Sequence, residues 1–233
     1  MKKAIITFVA LGAFTGSVAA AMNDDPTLFM LKLDKAEYRH GDEGGLFAWD
    51  LQGWLGKDLH KFWFKSEGER LDGATEEGDL QLLYSRAVAP FWDLQLGWRH
   101  DFRPSPSRDW LALGVKGLAP YLFEVDAFAY VGKGGRMAFD LKVEYEYLFT
   151  QRLILSPELE ATFYSRKDEA VESGSGLSDL ALGLRLRYEL RREFAPYVGL
   201  HWWSKHGGTA DYARRAGEST HDLEWVVGIR AWF

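Results

Sequence analysis

Apolar and polar residues alternate with a period of two along almost the whole chain, from near Thr27 to Phe233. The segment 91–103 shows this most clearly, because its apolar residues share one face and its charged residues the other: Trp92, Leu94, Leu96 and Trp98 against Asp93, Arg99 and Asp101. The segments 137–149, 177–190 and 222–233 alternate in the same way. Successive side chains of a β-strand point to opposite faces, so this period predicts strands rather than helices.

The alternation predicts strands near 27–38, 46–55, 59–69, 78–88, 91–103, 109–118, 121–131, 137–149, 152–164, 177–190, 194–205 and 222–233. Most of these segments reach the ~9–11 residues with which a tilted strand crosses a bilayer. An even number of strands is typical of single-chain bacterial outer-membrane barrels. The sequence thus predicts an all-β fold, a transmembrane antiparallel β-barrel of about twelve strands in the bacterial outer membrane.

A soluble β-sandwich or lipocalin-like barrel, with its apolar faces turned inward, is the competing fold. Two features favour the membrane barrel. Trp and Tyr lie near the ends of the apolar faces, as aromatic girdles require. Short connections, predicted at 55–58, 89–91, 119–121, 150–152 and 191–193, alternate with longer ones, predicted at 39–45, 70–77, 104–108, 132–136, 165–176 and 206–221. Short periplasmic turns and longer outer loops are the arrangement of outer-membrane barrels.

The start of the chain has the pattern of a secretory signal peptide. Two lysines precede an apolar core at 4–14, and mostly small residues follow at 17–21. This pattern predicts a signal peptide at 1–21 and a barrel domain at 22–233, with a short N-terminal lead at 22–27. The alternative is an uncleaved anchor, but the core is shorter than the ~18–20 apolar residues of a spanning helix.

Composition removes several classes of function. Without cysteine, the chain has no disulfide, thiolate metal site or cysteine nucleophile. The net charge of −6 argues against nucleic acid as a partner, because phosphate binding needs a concentrated basic surface. A lipase or deacylase would need a serine within hydrogen-bond reach of a histidine. The nearest pairs, Ser219 with His221 and Ser107 with His100, rest on spacing alone, so we predict neither an enzyme nor a prosthetic group.

If the apolar faces meet lipid, the charged faces line the lumen. The acids expected there outnumber the bases: Asp50, Glu67, Glu69, Asp79, Asp93, Asp101, Glu124, Asp126, Asp140, Glu144, Glu146, Glu158, Glu160, Asp179, Glu189 and Glu224 against Lys61, Lys65, Arg99, Arg103, Lys116, Lys142, Arg185, Arg187 and Arg230. An acidic excess favours cations over anions. In the alternative, the two signs pair, plug a small barrel and stiffen it.

Several motifs, in order along the chain, resemble those of one bacterial family. They are WDLQGW at 49–54, YSRAVAPFWDLQ at 84–95, RHDFRP at 99–104, GLAPY at 117–121, FEV at 123–125, TQRLIL at 150–155, GSGLSD at 174–179 and REFAPYVG at 192–199. From about Leu46 to Phe233 the chain closely resembles the copper resistance protein B family of outer-membrane proteins. The resemblance implies a role in copper tolerance at the cell envelope. Many members carry a Met- and His-rich segment ahead of the barrel, whereas residues 22–28 here contain one methionine and no histidine.

Two hypotheses follow from the resemblance and the charged interior. In the first, the barrel passes or binds copper ions at an acidic lumen, and the candidate metal residues are Glu144, Glu146, Glu158, Glu160 and His201. These four carboxylates belong to an expected one-sided acidic wall on three consecutive strands, which Arg185 and Arg187 would partly neutralise: Glu124, Asp126, Asp140, Glu144, Glu146, Glu158 and Glu160. Neutralising the four together should then lower copper tolerance more than His201→Ala does. In the second, a barrel with a plugged lumen is structural or docks a periplasmic copper-resistance protein. The expected partners are thus outer-membrane lipid, copper ions and that protein.

Overall fold

The computed structural model describes residues 25–42, 44–71 and 73–233, which form a closed antiparallel barrel of twelve strands. Each strand pairs with the next along the chain, and the last pairs with the first. The strands are β1 (Leu28–Gly41), β2 (Gly44–Gly56), β3 (His60–Leu71), β4 (Ala74–Ala89), β5 (Trp92–Arg103), β6 (Arg108–Ala119), β7 (Phe123–Gly132), β8 (Met137–Glu144 and Tyr147–Leu148), β9 (Leu153–Tyr164), β10 (Gly176–Tyr188), β11 (Phe194–Lys205) and β12 (His221–Trp232). Both segments of β8 pair with β9. The predicted fold class and number of strands are confirmed.

The barrel closes where the two ends of the described chain meet. Lys32 of β1 lies opposite Trp232 of β12. Beyond that pair, the backbone N–H of Phe233 donates to the carbonyl of Leu31 at 2.8 Å, and the N–H of Leu31 donates to the carbonyl of Phe233 at 2.9 Å. The seam therefore leaves the sheet without a free edge, which is what a lipid environment requires.

The connections define two ends of the barrel. At the turn side they are short, at 57–59, 90–91, 120–122, 149–152 and 189–193, and at the loop side they include the two longest, at 165–175 and 206–220. The connections predicted as longer at 39–45 and 70–77 are in fact tight turns, because β1 runs to Gly41, β2 begins at Gly44 and β4 begins at Ala74. The predicted signal peptide at 1–21 lies outside the described residues.

The two faces of the strands are as the alternation predicts. In β10, Leu182 and Leu184 are 44% and 43% exposed, whereas Arg185 and Arg187 are each 7% exposed. The same outward face continues around the barrel through Leu96, Leu111, Phe139, Trp225 and Val227. An apolar surface that encircles a closed barrel is typical of a barrel in contact with membrane lipid.

Within the part of the chain that the structure describes, helical structure is confined to the connections. The loop predicted at 206–221 contains one α-helix, α1 (Gly207–Ala216), which ends at Gly217 in the left-handed conformation. Three 3-10 turns lie at Pro120–Leu122, Lys133–Gly135 and Glu169–Val171. Among the described residues, no helix has the length and apolar character needed to span a membrane.

The interior also holds an apolar cluster that the alternation does not predict. Trp63, Trp110, Phe128 and Tyr130 are each at most 7% exposed and pack with Leu83, Ala112 and Ala138. Basic side chains lie over these rings, with Lys65 Nζ 4.5 Å from the centre of Phe128 and the Arg99 guanidinium carbon 4.7 Å from that of Tyr130. Aromatic faces attract cations at such distances, so rings and charges share the lumen.

Candidate functional site in the barrel lumen

The centre of the lumen is organised by β1, whose charges the sequence analysis leaves unassigned. A β-bulge between Leu33 and Lys35 shifts the register against β2. Because one extra residue reverses the direction of the side chains that follow, Lys35, Glu37 and Arg39 all turn inward and are at most 7% exposed. Two adjacent charged residues, Asp34 and Lys35, are the sequence signal of this bulge.

Glu37 and Arg185 form the central ion pair, between β1 and β10. Arg185 Nε and Nη2 donate to the two carboxylate oxygens of Glu37, both at 2.8 Å. Glu37 also accepts hydrogen bonds from Arg39 Nε at 2.7 Å and from the Tyr197 hydroxyl at 2.8 Å. Its side chain is fully buried. A buried carboxylate with four charge-assisted or hydroxyl donors is locked in position.

Glu158 and Glu160 extend this network along β9. Lys35 Nζ lies 2.8 Å from Glu158 and 2.9 Å from Glu160, and Arg185 Nη1 lies 2.8 Å from Glu158. Lys142 Nζ approaches Glu160 at 3.3 Å. The two predicted copper ligands on this strand therefore have basic partners.

Glu144 and Glu146 lie nearer the turn side and are paired as well. Arg230 Nη1 is 3.3 Å from Glu144 and 3.2 Å from Glu146, and Arg187 Nη2 is 2.7 Å from Glu146. The strands of these four carboxylates are neighbours, as predicted. The expected one-sided acidic wall is absent, however, because β1, β10 and β12 supply a basic partner to each carboxylate.

His201, the fifth predicted ligand, has a different environment. It lies opposite Glu224 in the β11–β12 pairing, so the two inward side chains are neighbours. His201 is 4% exposed and Glu224 is 5% exposed. Neither His201 Nδ1 nor Glu224 Oε2 has a hydrogen-bond partner, while Glu224 Oε1 accepts from Trp203 Nε1 at 3.1 Å. Each residue of this pair thus has one buried ligand atom without a hydrogen-bond partner.

A cavity of about 640 Å³ fills the turn-side half of the lumen. Its charged lining is balanced, since nine acidic residues face nine basic ones: Asp34, Asp50, Glu67, Glu124, Asp126, Glu144, Glu146, Glu158 and Glu189 with Lys32, Lys35, Lys65, Lys116, Lys142, Arg185, Arg187, Arg192 and Arg230. The acidic excess expected from the sequence is therefore not found in this half of the barrel.

The acidic excess lies instead in the loop-side half. There one basic residue, Arg99, is shared by three carboxylates, those of Asp79, Asp101 and Asp140, at 2.6–3.0 Å. Four further carboxylates form no ion pair with the described basic residues: Glu77, Asp179, Asp222 and Glu224. The field of this half therefore favours cations.

Comparison with known proteins settles the family. The family model described as "Copper resistance protein B precursor (CopB)" matches residues 27–233. Copper resistance protein B of Escherichia coli is 46% identical over 221 residues, which are 95% of this chain and 75% of that protein. The chain belongs to the copper resistance protein B family. The copper resistance protein B homolog of Pseudomonas syringae pv. tomato (strain ATCC BAA-871 / DC3000) is 44% identical over 200 residues, 86% of this chain and 68% of that protein.

A solved structure supports the fold of this family member. The NanC porin, in a rhombohedral crystal form, superposes with a TM-score of 0.56 at 11% identity, over 88% of this chain and 99% of that one. Together with the lipid-facing apolar surface, this fold makes the chain an outer-membrane barrel protein. The family is one of copper resistance proteins, and the similar solved structure is a porin.

Proposed function

We propose that this protein acts in copper resistance by admitting copper ions into the loop-side half of the lumen and holding them weakly at His201 and Glu224. The observation that carries the proposal is the pair of buried, unpartnered ligand atoms, Nδ1 of His201 and Oε2 of Glu224. Buried polar atoms normally have partners, so an unpartnered pair in an acidic section of the lumen suits a cation. Imidazole nitrogen binds copper well, and a carboxylate oxygen can complete its coordination.

Weak binding follows from the number of ligands. Within residues 25–42, 44–71 and 73–233 no group of three or more His, Cys, Asp or Glu side chains is placed to hold a metal ion. A copper ion at His201 and Glu224 would therefore keep water ligands. Few protein ligands permit release, and release is what passage requires.

The four predicted carboxylates would act further along the same path. Glu158 and Glu160 are held by Lys35, and Glu146 by Arg187. Copper reaching them must compete with these ammonium and guanidinium groups. We therefore expect their neutralisation to affect copper tolerance less than loss of His201 and Glu224, which reverses the order expected from the sequence.

Copper titration of the refolded barrel tests this site. Trp203 donates to Glu224, so its fluorescence should be quenched by Cu²⁺, and this quenching should be lost in a His201→Ala/Glu224→Gln variant. A His60→Ala/Glu76→Gln variant is the matched control, because both side chains are exposed and lie outside the lumen centre. Equal quenching in the parent and the lumen variant would refute the proposal. The same two variants are then compared for copper tolerance in a deletion strain at equal outer-membrane abundance.

The second candidate is a plugged barrel that docks a periplasmic copper-resistance protein. The balanced lining of the turn-side cavity and the buried ion pair of Glu37 with Arg185 favour this function, because paired charges of both signs fill and stiffen a barrel interior without favouring a passing ion. Single-channel recording separates the two candidates. A reproducible cation current supports passage, and a silent barrel that still restores copper tolerance supports docking.

A further inference from the structure

The loop-side end of the barrel carries its charges on opposite sectors. Over β5–β10 the strand ends and connections hold six basic residues, which we call the basic rim: Arg103, Arg108, Lys133, Arg136, Arg166 and Lys167. Four acidic residues lie in the same sector: Asp109, Asp168, Glu169 and Glu172. Over β1–β4 the same end holds the exposed acids Asp42, Glu76 and Glu77 and one exposed base, Arg70. Of the residues that the structure describes, the first sector therefore has two more bases than acids and the second has two more acids than bases, so one sector can bind an anion that the other repels.

The basic rim converges on one buried carboxylate. Arg108 donates to Asp168 Oδ2 through Nε at 3.0 Å and Nη2 at 2.8 Å, and Arg136 Nη1 lies 3.0 Å from the same oxygen. One carboxylate cannot neutralise two guanidinium groups. Arg166 extends toward the β7–β8 connection that carries Arg136, since Arg166 Nη1 lies 3.5 Å from the carbonyl oxygen of Gly134. Asp168 thus links the β9–β10 hairpin to those of β5–β6 and β7–β8, and its single negative charge does not neutralise the two arginines bound to it.

A small cavity of about 50 Å³ lies between these groups. Arg108, Arg136 and Arg166 are all in its wall, together with Met137 and Tyr164. Arginine presents planar donors that match phosphate oxygens. The other three residues of the basic rim, Arg103, Lys133 and Lys167, are exposed on the same strand ends and connections. Lys167 is paired with Glu169 at 2.7 Å.

Directly below the basic rim, the outer surface of the same strands is apolar. Met137, Phe139 and Phe163 are 50%, 41% and 38% exposed, and the two phenylalanine rings pack with their centres 6.2 Å apart. Leu111 and Val131 continue this surface on the neighbouring strands. Positive charge above an apolar wall matches a lipid whose phosphate lies at the interface and whose acyl chains lie in the bilayer.

From this arrangement we propose that the basic rim binds the phosphate groups of an anionic glycolipid of the outer leaflet, whose acyl chains pack against Phe139 and Phe163. The site lies at the rim of the barrel. Its apolar groups face outward, and the small cavity between its arginines also has the lumen residues Asp101, Trp110 and Tyr164 in its wall. Binding there would fix the loop at 165–175 against the hairpins of β5–β6 and β7–β8.

Binding of diphosphoryl lipid A to the refolded barrel in mixed micelles tests the proposal. The variant Arg103→Gln/Lys133→Gln/Arg166→Gln/Lys167→Gln leaves Arg108, Arg136 and Asp168 in place, so the ion pairs of the buried Asp168 are kept. The only ion pair it removes among the described residues is the exposed one between Lys167 and Glu169. Each basic residue near an anionic lipid surface changes affinity about fivefold. Because Lys167 is already paired with Glu169, the fourfold variant should raise the dissociation constant ~100-fold, the product of three such factors. The control Lys57→Gln/Arg152→Gln/Arg191→Gln removes exposed bases at the turn side and should bind as the parent does. Heat-modifiable migration on gels verifies that all three barrels are folded.

Two further ligands identify the chemistry. Dephosphorylated lipid A should bind the parent as weakly as diphosphoryl lipid A binds the fourfold variant, and raised salt should weaken only the phosphorylated lipid. Inorganic phosphate should not displace the lipid, since it lacks the acyl chains. Equal binding of the two lipids, unchanged binding by the fourfold variant, or displacement by inorganic phosphate alone would each overturn the proposal.

Discussion

The buried pair Glu37–Arg185 gives the sharpest test of how the lumen is held together. Arg185→Met removes three hydrogen bonds of 2.8 Å, two to Glu37 and one to Glu158. Breaking a buried pair by removing one partner costs ~3–5 kcal/mol. Glu37 retains Arg39 and Glu158 retains Lys35, so we expect a loss at the lower end, ~3 kcal/mol. That loss corresponds to roughly a hundredfold change in the ratio of folded to unfolded barrel.

Glu37→Met should lower the free energy of unfolding by more than Arg185→Met does, by ~4 kcal/mol, because it leaves Arg185 and Arg39 next to each other without their shared carboxylate. The double variant Glu37→Met/Arg185→Met should be less destabilised than the sum of the two single variants, by at least ~1.5 kcal/mol. Urea unfolding of the barrels in lipid vesicles measures all three values. The exposed-rim variant Arg70→Met should stay within ~0.5 kcal/mol of the parent. Additivity of the two lumen substitutions within ~0.5 kcal/mol would show that the groups are hydrated separately, and the central network would be disproved.

Three further results are expected. Leu182→Arg and Val143→Arg each place a charge on the lipid face, so each should lower the free energy of unfolding by ~2–4 kcal/mol and abolish heat-modifiable assembly. The control Glu144→Gln should assemble normally. The reverse result would mean that the apolar face points inward. Gly228→Val should lower the free energy of unfolding by ~1–3 kcal/mol, because a Cβ at this position would meet the Tyr197 hydroxyl at 2.6 Å and Glu37 Cβ at 2.8 Å. An unchanged midpoint of urea unfolding would contradict this packing. Thr209→Val removes the hydrogen bonds of Thr209 with Ser178 Oγ at 2.7 Å and Gly174 N at 2.8 Å, so hydrogen exchange should become faster in residues 165–175 and 207–216, and unchanged exchange would mean that the helix is held by other contacts.

The alternation predicts most of the fold for a simple physical reason. Lipid on one side and a polar lumen on the other impose a strict period of two, and β10 shows it without exception from Leu182 to Tyr188. The same rule fails where the register changes. The bulge at Leu33–Lys35 reverses the phase of β1, so the period alone does not place Glu37 and Arg39 in the lumen.

The candidate site could be predicted only in part. Sequence alternation places Glu144, Glu158 and His201 on the inner face, because each lies in a regular strand. It says nothing about partners across the lumen, and the pairing of Lys35 with Glu158 joins residues 123 positions apart. It also leaves β7 ambiguous, because Phe128 and Tyr130 face inward while Ala127 and Ala129 lie on the opposite face, so both faces are apolar.

The seam between β1 and β12 has a consequence for assembly in the cell. The two strands furthest apart along the chain are neighbours in the sheet, so closure depends on the contacts of greatest sequence separation. Such contacts form slowly. Until they form, β1 and β12 both expose unpaired backbone groups that lipid cannot satisfy. An inserting intermediate must therefore keep both strands out of the hydrocarbon region until they pair, and shortening of β12 should delay maturation before it alters the finished barrel.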